Sequence, residues 1–157
     1  MTLAVQSSYA STYPNTWELA KRLTSTEKAP ELLLHRLFEN VVRTLETRTK
    51  KPFDPSTKEK VWVAISAENL PSIREFFLHE VCTQVLAGFS EKDTGKMLEE
   101  HVRTGAVKER LFCLRLENAL ACTHDSVIDA LAKKVNSIAK EITPKIEEMV
   151  LAEGISP

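Results

Sequence analysis

Glu75, His79 and Cys82 are spaced four and then three residues apart, which puts a carboxylate, an imidazole and a thiol on one side of a helix. Those residue types bind zinc or iron, and with a fourth ligand they would make a metal-dependent enzyme. Glu31 and His35 repeat the carboxylate and imidazole pair earlier in the chain. A di-iron bundle, however, uses Glu-x-x-His motifs together with further inward glutamates. The spacing here differs and no additional Glu falls on the apolar stripes, so these residues read as pairs that support their helices, with no metal ligand assigned.

His124, Asp125 and Ser126 are the residue types of a hydrolytic triad, but neighbours in sequence cannot converge as a triad must, and they read as a helix cap. The chain has no Gly-x-Ser-x-Gly elbow, phosphate-cradling glycine loop, dinucleotide fingerprint or His-Glu-x-x-His helix. The expectation is a protein without catalytic residues or a cofactor. Three cysteines, Cys82, Cys113 and Cys122, form no C-x-x-C pair and no metal-finger spacing, and read as small core hydrophobes.

Two constellations remain. Trp62, Phe76, Phe77 and Phe112 are large enough to line a cavity for a small apolar ligand, with Trp17 and Phe89 as further aromatic candidates. Ile128, Leu131, Val135, Ile138 and Ile142 recur at steps of three and four, as a packed seam requires, and could dock on a partner protein or on a second copy of the chain.

The elements that position these residues are helices. Gly is scarce, at four residues, and apolar residues recur every three or four positions. Residues 1–15 are rich in Ser, Thr and Tyr and read as an arm, before one helical domain over 16–157. A short helix over 17–24, capped by Asn15 or Thr16, leads to a longer one opening near Pro30, with Leu34, Leu37, Phe38, Val41 and Leu45 as its buried stripe. Pro52 and Pro55 mark 49–57 as a connection ending at a Ser56 or Thr57 cap. Helix is then expected over 58–69, although the alternation of Val61, Val63 and Ile65 is also that of a strand.

Pro71 opens the next expected helix, which closes in left-handed geometry at Gly88. Ser90 and Asp93 form a cap signature for a helix that ends at Gly105. The segment 106–122 has two apolar faces and is expected to be the central helix. The last helix, from 124 or 125 to 152, should kink ahead of Pro144. The resulting expectation is an all-α bundle of about six or seven helices.

The 157 residues suit a single domain, and the 43% apolar and 27% charged residues suit a folded one. Twenty-one Lys and Arg against 22 Asp and Glu leave a net charge of −1, which provides no field for nucleic acid. The basic stretch from Arg43 to Lys60 is interrupted by Glu46 and Glu59 and reads as a solvated face. No apolar run approaches the ~20 residues of a membrane span, and the first sixteen residues lack a secretory pattern. A cytoplasmic location follows as written, or a periplasmic one for a processed form.

Two segments, residues 20–26 (AKRLTST) followed by the Leu-rich run 33–42, and residues 89–93 (FSEKD) continuing to Lys108, resemble a bacterial family of uncharacterised all-helical proteins that are commonly exported. The chain departs from that family's pattern at His101-Val102, where the family carries an aromatic pair, at Thr104-Gly105, where the family has Ser-Pro, and at Val107, where the family has Gly. The resemblance implies a helical fold and export, and assigns no catalytic residue. The reading that results is a non-catalytic module for protein interaction or self-association, with carriage of an apolar ligand as the alternative and a metal enzyme using Glu75, His79 and Cys82 behind both.

Overall fold

The computed structural model describes residues 9–155, with side chains through residue 153. Among the described residues, after a helical turn at 9–12, the elements are α1 (Pro14–Leu23), α2 (Ala29–Thr49), α3 (Pro55–Glu80), the π turn Val81–Val85, α4 (Glu91–Thr104) and α5 (Arg110–Ile155). No strand occurs among the described residues, and the protein is an all-α helical bundle. No helix among them is long and apolar enough to cross a membrane. Of the expected N-terminal arm, residues 1–8 lie outside the described residues, 9–12 are helical, and α1 starts at Pro14.

The chain divides into two compact units. One takes Lys28–Ile73 with the chain from Leu131 onward, and therefore holds α2, most of α3 and the second half of α5. Its core consists of Leu34, Phe38, Val42 and Leu45 on α2, Val61, Ile65 and Ile73 on α3, and Leu131, Val135, Ile142, Ile146 and Val150 on α5. These sets recur at helical spacing, so each helix turns one continuous stripe inward. Val42 belongs to that core, whereas the expected Leu37 and Val41 are only half-buried. Val61 to Ile65 is helix: Val61 and Ile65 point inward, and Val63 is 55% exposed.

Between α2 and α3 the chain breaks at Lys50, whose left-handed φ of 56° ends α2 with its N–H on the Glu46 carbonyl. Asp54, rather than the expected Ser56 or Thr57, starts α3 by accepting from the Ser56 N–H at 3.3 Å. Pro55 takes the first helical position, where a missing N–H costs nothing.

The other unit takes the chain up to Glu27 with Arg74–Ala130. Leu19 and Ala20 of α1, Phe77 of α3, Val81, Cys82 and Val85 of the π turn, Leu86 and Phe89 beyond it, Met97 of α4, and Leu116 and Val127 of α5 are its buried apolar residues. Ser90 caps α4 by accepting from the Asp93 N–H at 3.0 Å, and Gly105 ends that helix at φ 84°, both as the sequence predicts. Gly88 does not close a helix in left-handed geometry: among the described glycines Gly105 alone has positive φ. The chain leaves α3 through the π turn, where Leu86 N–H reaches the Val81 carbonyl five residues back.

Two expected helix boundaries are absent. Pro71 lies inside α3, flanked by the fully buried Ile65 and Ile73. Nearby, the Asn69 side-chain amide donates to the Ile65 carbonyl at 2.9 Å and Ser72 Oγ to the Asn69 carbonyl at 3.2 Å. The segments 106–122 and 124–152 are likewise not separate helices, since α5 runs from Arg110 to Ile155 with Pro144 inside it. Without a proline N–H the Lys140 carbonyl loses its helical partner, which makes this the bend point of α5.

Candidate functional site

The main concave site lies between α2 and α3, with a volume of about 410 Å³. The two helices run antiparallel from the 50–54 connection, so the groove has a loop end and a far end. At the loop end Glu46 accepts from the Phe53 N–H at 2.8 Å and from Lys58 Nζ at 3.1 Å. The Phe53 hydrogen bond, followed by Lys58 and the nearby charge of Arg43, holds the Glu46 carboxyl below the usual carboxylate range. That end is therefore locked and its carboxylate is answered by two cations.

At the far end Trp62 and Phe38 form an aromatic corner, with ring centroids 5.5 Å apart and planes at 51°. His35 meets Trp62 edge to face at 4.6 Å and places Nδ1 2.8 Å from Glu39 Oε1. His35 thus pairs along the helix toward Glu39. Val42, Arg43, Pro55 and Glu59 complete the lining. Glu59 makes no ion pair among the described residues, and it shares a helix face with Trp62 three positions on.

The aromatic set proposed from the sequence does not come together. Trp62 lines this groove, but Phe76, Phe77 and Phe112 do not. Phe77 is core, and Phe112 lies 6.5 Å from Phe89, whose ring also carries the Arg115 guanidinium at 4.3 Å. The groove at Trp62 is moreover lined by six ionisable side chains.

Cys82 is fully buried, with its Sγ 3.9 Å from the Thr16 carbonyl, and burial pushes its thiol up to about 12. His79 packs edge-on against Tyr9 at 5.5 Å, and burial, ahead of the neighbouring Cys82, Tyr13 and Glu91, pushes the Tyr9 phenol up to about 12. No group of three or more His, Cys, Asp or Glu among the described residues is arranged to hold a metal ion, and this includes Glu75, His79 and Cys82. Cysteine burial also differs from the expectation: Cys113 is half-buried and Cys122 exposed, because the face of α5 that bears them is only partly covered.

The expected docking seam is not a free surface. Leu131, Val135 and Ile142 are at most 3% exposed inside their own unit, while Ile128 and Ile138 are half-buried. The segment 110–122 is not a central helix either: Leu111 and Leu114 are 67% and 54% exposed, Leu120 43%, and only Leu116 on that segment is buried. Sequence periodicity identified both apolar faces of 106–122, but not that one of them would stay in solvent.

Residues that the sequence reading missed form a clasp between α1 and α4. Glu91, the first residue of α4, accepts from the Asn15 N–H at 3.0 Å, the Thr16 N–H at 3.1 Å and Thr16 Oγ1 at 2.9 Å. The Thr16 and Thr94 hydroxyls, both buried, meet at 3.2 Å. Gly95 keeps this approach open, since a Cβ there would stand 3.0 Å from Asn15 Nδ2. Comparison with protein-family models, with curated proteins and with solved structures finds no match.

Proposed function

We propose that this chain is a non-catalytic helical module that associates with a second copy of itself through the first half of α5. The observation that supports this reading is the pair Leu111 and Leu114, three residues apart and more than half exposed, on a helix that also buries Leu116, Val127 and Leu131. Ala121 and Cys122 continue the same face in solvent. Burying a leucine side chain stabilises by about 1.5–3 kcal/mol, so two from each copy offset a useful part of the entropy of association. A two-fold dimer would bring the same patch of each copy together.

Sedimentation velocity across a wide concentration range tests the reading. A concentration-dependent dimer that Leu111→Glu with Leu114→Glu abolishes, without loss of helical circular dichroism, is the expected result. A chain that stays monomeric at the highest concentration, or a dimer that the double variant leaves intact, refutes it.

A further inference from the structure

We propose that the groove between α2 and α3 is a binding site for a small organic cation, an alkylated ammonium group seated against Trp62 and answered by Glu39 and Glu59. The groove's volume of about 410 Å³ falls within the roughly 300–1,000 Å³ of small-ligand sites. An ammonium group is attracted to the negative faces of aromatic rings, Trp most of all. Trp62 is half-buried, and the buried Phe38, 5.5 Å away at 51°, backs it from the core. His35, edge-on to Trp62 and tied to Glu39, keeps the indole from rotating away.

Charge is distributed unevenly along the groove. Its lining holds three carboxylates, Glu39, Glu46 and Glu59, against two permanent cations, Arg43 and Lys58, with the His35 imidazole beside Glu39. Lys58 contacts Glu46 at the loop end, at 3.1 Å, and Arg43 makes no ion pair among the described residues. Glu39 and Glu59 remain beside the rings, and neither contacts a Lys or Arg among the described residues. An anion entering the far end would meet these carboxylates, and a purely apolar molecule would strip water from them without compensation. A positive charge with methyl groups satisfies the indole and the carboxylates together.

The test uses the full chain and choline as probe, with 3,3-dimethyl-1-butanol as its uncharged isostere and benzoate as an aromatic anion. The indole N–H signals of Trp62 and Trp17 are followed by NMR during titration. Choline is expected to shift Trp62 and leave Trp17 in place, with the isostere about tenfold weaker. Trp62→Leu should weaken choline about tenfold, Trp62→Phe should retain most of the affinity, and Glu59→Gln should weaken it about threefold. Equal binding of the isostere, tighter binding of benzoate, indifference to Glu59→Gln, or no Trp62 shift at tens of millimolar choline would each overturn the proposal.

Discussion

Replacing Glu91 with Ala tests whether one helix of this protein is capped by another. Helix α1 begins at Pro14, which has no N–H, after Tyr13, which makes no side-chain cap. Its first available donors are therefore the N–H groups of Asn15 and Thr16, and the Glu91 carboxylate takes both, one on each oxygen, with the Thr16 hydroxyl as a third donor. The same carboxylate lies in the first turn of α4, where negative charge also opposes the helix dipole. A hydrogen bond to a charged group contributes about 1.5–3 kcal/mol when buried, and loss of an N-cap costs about 0.5–2 kcal/mol. Glu91 is half-exposed, so water recovers part of the loss, and Glu91→Ala should cost about 2–3 kcal/mol. Glu91→Gln, which keeps one acceptor oxygen but turns an amide N–H toward a donor, should cost about 1–2 kcal/mol. Urea unfolding gives the total, and amide hydrogen exchange at Asn15 and Thr16 locates it. A change under about 0.5 kcal/mol in both variants, with those amides exchanging as in the parent, would refute the capping argument.

Further expectations follow from burial and charge. Leu131→Ala should cost about 2–5 kcal/mol in denaturant unfolding because Leu131 is fully buried, whereas Leu111→Ala at 67% exposure should stay within about 0.5 kcal/mol in the monomer. The Glu46 carboxyl titrates lower in the folded than in the unfolded chain, so its contribution is present above about pH 4.5 and is lost as the pH falls through the folded value. Glu46→Gln should accordingly reduce the loss of stability on acidification below about pH 4.5, as read from urea midpoints. With a disulfide reagent under native conditions Cys122 should react quickly, while Cys82, fully buried with its thiol pushed up to about 12, should react only at the rate at which its surroundings open. Rapid labelling of Cys82 in the folded protein would contradict its placement.

Residue chemistry alone determined the all-helical class and several of its boundaries. Ser90 with Asp93, Gly105, Pro30 and the break near Pro52 act through backbone donors and φ values within a few residues of themselves, so their meaning is readable without the rest of the chain. The same local logic misled at Pro71 and at His124. Packing of Ile65 and Ile73 on either side of Pro71, and of Leu116, Val127 and Leu131 along α5, stabilises continuous helix by more than the local breaks cost. Near the second site Thr123 Oγ1 bonds back to the Ala119 carbonyl at 2.7 Å, within the helix.

The candidate site was less legible still. Trp62 was visible as a large aromatic, but its neighbours Phe38, His35 and Glu39 reach it only because α2 and α3 pack antiparallel. Periodicity found the stripe from Leu131 to Ile142 and the leucines at 111 and 114 alike, and assigned the first to a partner and the second to the core. The structure buries the first and leaves the second exposed. An apolar stripe records only that a face will be covered or left costly in water, whereas what covers it depends on which distant segments pack there, a choice made by the whole chain.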